Sequence, residues 1–297
     1  MSSEPAATRR PEHRARRPSG HARSAPTPHD VARHYDELDA FYRELWGEHV
    51  HHGIFERADD SPEVATERLV ELVARRARLG PGDRVCDVGC GYGATARMIA
   101  ATHGCVVVGL TVSAEQHRRA VAAAPASCTF LLRDWLRNDL DDAGFDAVIA
   151  IESTAHMADK AGAIAEAARV LRPGGRLVVC AWLAGDDVGG WRTAWLLDPI
   201  CRWGRLPGLG TEADYRGWIA AAGLRLEGFE DLSRSVRRTW SVVARRAAAA
   251  VATRARYRRY LFRGPERGFA PTIALLWLAY RTGAFRYGVF TAARPSD

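Results

Sequence analysis

The apolar positions change rhythm three times along the chain. Residues 1 to about 30 carry almost no large apolar side chain and are rich in Arg, Pro, Ser, Ala and His. Such a stretch buries too little surface to offset its ordering entropy, so a disordered basic tail is expected. From Val31 onward Val31, Tyr35, Leu38, Phe41, Tyr42 and Leu45 recur at helical spacing. A polar and aromatic stretch, Trp46 to Phe55, follows. Ser61-Pro62 then opens another helix, Ser as the cap and Pro in the first turn, running to about Arg78 and stopping at Gly80-Pro81-Gly82.

Strands and helices alternate after that. Arg84–Val88, Cys105–Leu110, Cys128–Leu132, Asp146–Ile151 and Arg176–Leu183 read as strands. Between them Ala94–Ala101, a helix opened by the capping box Ser113-Ala-Glu-Gln116, and Ala161–Leu171 read as helices. Runs of Val, Ile and Leu buried on both faces and separated by helices indicate a parallel sheet in an α/β fold. The rhythm then breaks. Residues 184–210, rich in Gly, Trp and Asp, read as a lid or substrate insertion. Thr211–Ala222 is a helix, Leu224–Phe229 a strand, 233–282 mostly helical, and Phe285–Ala292 a last strand. Residues 31–297 thus form one domain, with 184–210 and 233–282 as its lid and substrate elements.

Composition changes this picture little. The chain has 297 residues, 47% hydrophobic and 26% charged, the balance of a globular protein with a sizeable core. No apolar run reaches the roughly 18 residues of a membrane span. The net charge is +7, and Lys160 is the only lysine. The six cysteines include no Cys-x-x-Cys pair, so buried free thiols in a reducing compartment are expected. Neither Arg9-Arg10 nor Arg16-Arg17 precedes an apolar stretch, so no export signal is read and the cytoplasm is the expectation.

The candidate chemistry begins at the turn after the first strand. Gly89-Cys-Gly91-Tyr-Gly93 lets backbone approach a ligand and aims helix N–H groups at it. With Ala94 it also satisfies the dinucleotide pattern G-x-G-x-x-A. Three residues separate the two uses. Asp87, two positions before the loop, suits an ammonium group and would repel a pyrophosphate. The second strand ends Gly109-Leu-Thr111-Val112-Ser113, without the acid that a dinucleotide needs there. Asp134-Trp135 follows the third strand, where an S-adenosylmethionine (SAM) enzyme places an acid for the adenine amino group and an apolar side chain for its ring. SAM is therefore the expected cofactor.

With those residues assigned, the chain resembles the γ-tocopherol methyltransferase-like branch of small-molecule class I methyltransferases, and in its cofactor site the cyclopropane fatty acid synthases. The resemblance rests on His34-Tyr-Asp36, Trp46-Gly-Glu-His-Val-His-His-Gly53, Asp87-Val-Gly-Cys-Gly91, Gly109-Leu-Thr-Val-Ser113 with Gln116, Ile151-Glu-Ser-Thr-Ala-His-Met157 and Phe285 to Pro295. It spans about residues 31–295. It implies a Rossmann-like, seven-stranded, mostly parallel sheet with helices on both faces, an α-helical lid and an antiparallel last strand. It implies that Thr111, Val112 and Gln116 stand in for the acid on the ribose and that Tyr35 closes over the methionine end. Gly89, Cys90, Gly91 and Ile151 complete the cofactor set. The family methylates carbon, oxygen or nitrogen, so the acceptor atom stays open.

Methyl transfer from a sulfonium needs an acceptor held in line and one proton removed or tolerated. Candidate bases belong at the end of the fourth strand, where α/β sheets bind ligands. His156 is chosen as general base because histidine titrates near neutrality. Glu152 either orients His156, contacts the acceptor, or is structural. Trp46, His51 and His52 are read as acceptor wall. The cluster His49, His51, His52 lacks an acidic or thiol partner at metal-site spacing, so no metal is expected. Trp182, Trp191 and Trp195 line an aromatic or prenyl pocket or belong to the core.

Between Ser233 and Phe269 lie eleven arginines and one acid, Glu266. They form either a solvated helix face or, through Arg234, Arg237, Arg238, Arg245, Arg246 and Arg254 to Arg259, a surface for anionic lipid or an acidic partner. Nucleic acid is not expected, because Ile151-Glu-Ser-Thr154 stands where base-amine methyltransferases carry an Asn/Asp-Pro-Pro-aromatic loop. The expected activity is methylation of a hydrophobic, aromatic or prenylated acceptor in specialised metabolism. The alternatives are a SAM-fold protein that transfers no methyl and an RNA-binding protein using the basic face.

Overall fold

The structure, a computed structural model, describes residues 25–186, 188–263 and 269–296. Most of the expected basic tail therefore lies outside the described residues. Its boundary moves, because α1 (Pro28–Glu37) already takes in residues 28–30. Thr27 caps it in a reciprocal box with Asp30, so polar side chains start the helix before any apolar residue appears. The single helical run expected from Val31 resolves into α1 and α2 (Asp39–Leu45), broken at Leu38, whose backbone leaves the helical region.

The core then follows in order. It comprises α3 (Pro62–Ala77), β1 (Arg84–Val88), α4 (Ala94–His103), β2 (Val106–Thr111), α5 (Ala114–Ala122), β3 (Cys128–Leu132), β4 (Phe145–Ile151), α6 (Lys160–Val170) and β5 (Leu171–Ala184). Short 3₁₀ turns, Trp135–Arg137 and Ser153–His156, close the loops after β3 and β4. A π-helical turn, Thr193–Leu197, and α7 (Asp198–Trp203) make up the lid. Next come α8 (Glu212–Ala221), β6 (Arg225–Asp231), α9 (Ser233–Val236), α10 (Arg238–Thr253), α11 (Ala255–Arg263), α12 (Phe269–Arg281) and β7 (Phe285–Ala293).

The seven strands form one sheet in the order β3-β2-β1-β4-β5-β7-β6. The first five are parallel, and β7 runs antiparallel to both β5 and β6. This is the topology the resemblance implied. Neighbouring residues along each central strand feed opposite cores. Val85, Ile149, Val178 and Cys180 pack with α3 and α4 on one face. Cys86, Val148, Ala150, Leu177 and Val179 pack with α6 and α8 on the other. Burial on both faces is why these strands read as unbroken apolar runs. The strand order reverses between β1 and β4, and such a reversal leaves a crevice at the carboxyl ends of the strands.

The expected buried thiols are present: all six cysteines are free and five are buried. No described helix is long and apolar enough to cross a membrane.

Candidate active site

The crevice at that reversal is a cleft walled by the loops after β1 to β4 and roofed by α1, the lid, α10 and α12. Its floor begins at the glycine loop. Gly89 has φ +76 and faces Ser153 so closely that any Cβ would overlap that side chain. Gly91 has φ +53 with open space before it, so bare backbone faces the cleft. Cys90 between them turns away. Its N–H donates to the Leu110 carbonyl at 2.9 Å, and its side chain packs in the core. The Cys90 side chain thus packs in the core, off the cleft wall. Asp87 lies beneath the loop, not on the cleft wall. Its Oδ2 is buried with no hydrogen-bond partner among the described residues. Burial pushes its pKa up to about 7.

The second wall follows β2. Ser113 caps α5 by accepting from the Gln116 N–H at 3.1 Å. The expected capping box does not close, because the Gln116 side chain turns to Thr111, whose hydroxyl donates to its Oε1 at 2.9 Å. That bond leaves the Gln116 amide nitrogen as a donor beside the cleft. After β3, Asp134 accepts from the Leu136 N–H at 3.1 Å and caps the following turn. Trp135 is almost fully buried and donates its indole N–H to the Ala163 carbonyl at 3.0 Å. It touches the cleft from below, and Leu136 and Met157 share that wall.

The loop after β4 carries the titratable groups. Glu152 holds a left-handed backbone, φ +61, at the start of the turn that ends on His156. A non-glycine residue there is strained, and strain of this kind gathers at functional sites. His156 Nε2 lies 2.9 Å from the Tyr35 hydroxyl, and its Nδ1 3.5 Å from the Arg205 carbonyl. Burial pushes the His156 pKa down to about 4, so it does not titrate near neutrality as expected. The buried Lys160 donates Nζ–H bonds to the Met157 carbonyl at 2.9 Å and the Ala155 carbonyl at 3.5 Å. The only lysine of the chain therefore grips the backbone on both sides of His156.

Glu152 does not orient His156. Its Oε1 accepts from the His52 N–H at 2.7 Å, His52 Nδ1 at 3.0 Å and the Tyr287 hydroxyl at 2.9 Å. On the other side of that ring, Nε2 accepts from the Trp240 indole at 2.8 Å, with the Tyr280 hydroxyl 3.0 Å away. An indole N–H only donates. The hydrogen of His52 is therefore assigned to Nδ1, which donates to Glu152. Burial alone would raise the Glu152 pKa, but hydrogen bonds from the Nδ1–H and the backbone N–H of His52 outweigh it and hold the carboxyl below its usual value. The result is an ionised carboxylate on the cleft wall, with three donors on one oxygen and none from a described residue on Oε2.

Of the expected residues, Tyr35, Gly89, Gly91, Thr111, Val112, Gln116, Asp134, Trp135, Ile151, Glu152, His156, Trp46 and His52 meet in this one cleft. Asp87 and Cys90 lie below it. His51 also misses it: its ring bonds the His52 carbonyl at 2.8 Å and His49 at 3.3 Å, behind the wall. Trp182 lines the cleft, whereas Trp191 and Trp195 are exposed on the lid and belong neither to core nor to pocket. Trp240, Thr272 and Leu276 were not anticipated. The Arg-rich stretch also divides: Arg246, Arg254 and Arg256 pair with Glu63 and Glu44 where α10 and α11 meet the helices before them. Among the described residues no group of three His, Cys, Asp or Glu could hold a metal ion.

The sequence profile described as mycolic acid cyclopropane synthetase matches residues 22–258. The chain is 35% identical over 231 residues to 27-O-demethylrifamycin SV methyltransferase of Amycolatopsis mediterranei, covering 74% of this chain and 83% of that protein. It is 30% identical over 290 residues to the chloroplastic tocopherol O-methyltransferase of Arabidopsis thaliana, covering 89% and 82%. Among solved structures, the [4+2]-cyclase SpnF superposes with a TM-score of 0.77 at 28% identity, covering 92% of this chain and 98% of that one. A shared fold does not fix the reaction, so the chemistry rests on the site.

Proposed function

The chain belongs to the mycolic acid cyclopropane synthetase family and is a SAM-dependent methyltransferase, and we propose that it methylates a hydrophobic, aromatic or prenylated small molecule of specialised metabolism. The observation that carries this reading is the two-sided cleft. Bare glycine backbone, Thr111–Gln116 and Asp134 line one side; Glu152–His52, His156–Tyr35 and indole rings line the other.

The first side fits SAM. Gly89 and Gly91 offer backbone that a cofactor can approach closely. Gln116 and Asp134 lie on the cleft wall, where the amide nitrogen suits a ribose hydroxyl and the carboxylate the adenine amino group. The unpartnered Asp87 Oδ2 lies just beneath the glycine loop and suits an ammonium drawn down onto that loop. Bound SAM supplies an electrophilic methyl on a sulfonium. The chain's task is to align the acceptor and manage its proton.

Glu152 Oε2 is the group we assign to holding the acceptor, because the carboxylate is fixed by three donors and keeps one oxygen toward the cleft. His156, neutral above about pH 4, accepts the proton at Nε2, directly or through the Tyr35 hydroxyl. Trp46, Trp182 and Trp240 supply the apolar wall, and Ile200, Thr272 and Leu276 bring the lid and α12 to it. Residues 184–210 and 233–282 are accordingly proposed as the acceptor-binding elements, and an apolar acceptor makes an anionic membrane the proposed peripheral partner.

Calorimetric titration with SAM, S-adenosylhomocysteine and NAD tests the cofactor half. Binding of the first two and not the third is expected; tight NAD binding would sink it. Incubation with SAM and a panel of phenolic and prenylated acceptors, read by mass spectrometry for the gain of one methyl, tests the acceptor half. Products only from small polar amines would overturn it.

A further inference from the structure

Helix α12 has an unusual make-up for a helix at the protein surface. Of its thirteen residues, Phe269-Ala-Pro-Thr-Ile-Ala-Leu-Leu-Trp-Leu-Ala-Tyr-Arg281, only the last is charged. A helix that is apolar all round is normally buried all round. This one is not. Leu276 and Thr272 face the cleft, yet Trp277 is 42% and Leu278 38% exposed on its other side. The lid repeats the arrangement. Ile200 and Gly204 face the cleft, while Trp191 and Trp195 are 57% and 72% exposed. The two elements adjoin, since Arg192 of the lid donates to the Thr282 carbonyl at the end of α12.

Cations border this apolar face. Trp277 and Arg281 share a groove with Arg57, Arg234, Arg237 and Arg238. The Arg281 guanidinium lies over the Trp277 ring, 4.0 Å from its centroid. Arg238 donates to the carbonyls of Arg57 and Ala58 and lies over Phe55. Arg234, Arg237 and Arg281 have no carboxylate partner among the described residues. The one acid in the groove, Glu56, turns to Arg68 at 3.6 Å. Exposed tryptophans beside uncompensated arginines match a bilayer interface, where indole rings sit at headgroup level and arginines meet anionic lipid.

We propose that the face formed by Trp191, Trp195, Trp277 and Leu278, with Arg234, Arg237 and Arg281 at its border, docks on an anionic lipid bilayer and admits the acceptor between the lid and α12. It rests on the reading that the acceptor is hydrophobic. The same two elements line the cleft on their inner faces, so an apolar molecule can pass from lipid to the acceptor wall without crossing water. An acidic soluble protein would meet the arginines but gives no account of four apolar side chains held in solvent above the cleft.

The test is co-sedimentation of the full chain with phosphatidylcholine vesicles and with mixed phosphatidylcholine–phosphatidylglycerol vesicles, at low and high salt. Binding to the mixed vesicles that weakens with salt is expected. Trp191→Ser with Trp195→Ser should abolish it. Arg234→Ala with Arg237→Ala should weaken it roughly thirtyfold. Calorimetric SAM affinity, unchanged in all variants, reports that they fold. Equal binding to both vesicle types, no binding at all, or binding indifferent to both pairs of substitutions overturns the proposal. So does a wild-type dimer that the tryptophan substitutions turn into a monomer, which would make the face a contact between copies. A protein that binds SAM but ignores vesicles loses only this inference; one that fails to bind SAM loses the methyltransferase reading.

Discussion

The Tyr35 hydroxyl and His156 Nε2 meet at 2.9 Å across 121 residues of sequence. The contact joins α1 to the loop after β4, so the N-terminal helix is pinned directly to the candidate base. Asp36, the next residue, accepts from Ser113 Oγ at 2.5 Å and from the Glu115 N–H at 3.2 Å, fastening α1 to the start of α5 as well. α1 thus closes the cleft from above with one residue on each wall.

His156→Ala is expected to lower kcat at least about tenfold while SAM affinity holds. Tyr35→Phe keeps the ring and loses the bond, so a smaller loss is expected. Because burial puts the His156 pKa at about 4, it should contribute no inflection near 6.5 to the pH dependence of kcat/KM. An inflection near 6.5 that His156→Ala removes would contradict this picture.

Glu152 separates charge from hydrogen bonding. Glu152→Ala would leave the two His52 donors and the Tyr287 hydroxyl without an acceptor, a loss of about 3–5 kcal/mol in denaturant unfolding. Glu152→Gln keeps an acceptor at Oε1 and should cost about 1 kcal/mol or less. It should nonetheless raise the acceptor KM. Equal destabilisation by both variants would mean that charge, not satisfaction of donors, matters at this site.

What the sequence made legible follows from where the signals are local. The five parallel strands and the glycine turn were readable because burial on both faces enriches Val, Ile and Leu over consecutive positions, and a turn between strand and helix selects glycine. The far wall was not readable. Trp240 and Tyr280 reach His52 from 188 and 228 residues away, and nothing in their neighbourhood marks that encounter. His51 and His52 are adjacent and point to opposite sides of one extended segment. Their pattern alone could not say which faces the cleft. The low pKa of His156 was likewise hidden, since burial is a tertiary property.

Lys160 tests whether the only lysine holds the loop that bears His156. Lys160→Met removes the bonds to the carbonyls of Ala155 and Met157 that flank it. A kcat loss of about tenfold with unchanged SAM affinity is expected. Lys160→Arg should not restore it, because a planar fork cannot replace a compact ammonium between two carbonyls. Lys160 also disfavours the charged form of His156, so the Met variant should shift the acid limb of the pH profile upward. Lower stability with an unmoved profile would reduce Lys160 to packing.

Asp87 should trade stability for binding. Its pKa rises from 3.8 unfolded to about 7 folded, so its ionisation is disfavoured in the folded state and the full cost is present above pH 7. At the ceiling this is about 4 kcal/mol. Asp87→Asn should therefore stabilise the ligand-free protein at pH 8 and weaken SAM binding. Wild-type affinity for SAM should rise with pH up to about 7 and then level, and the Asn variant should lose that dependence. A variant that binds SAM as tightly as wild type across this range would remove Asp87 from the cofactor site.

The histidines predict how the fold responds to acid. Burial pushes the pKa of His34 and His49 down to about 3 and that of His156 to about 4. An unfolded chain protonates all three near 6.5, so it binds more protons than the folded one below that pH. Their contribution is complete above 6.5 and is lost as pH falls toward 4. Asp87 acts in the opposite sense over the same window, because the folded state holds its proton up to about pH 7. The imidazoles outnumber it, and His51, also lowered by burial, adds to them. Stability therefore falls as pH drops from 7 to 5, most steeply toward pH 5, by on the order of 3 kcal/mol per pH unit there. Urea unfolding at intervals between pH 7 and 5 should show that slope. His156→Ala should make it shallower, since one of the buried imidazoles disappears. A stability that is flat across this range would mean that the buried imidazoles are already protonated in the folded protein.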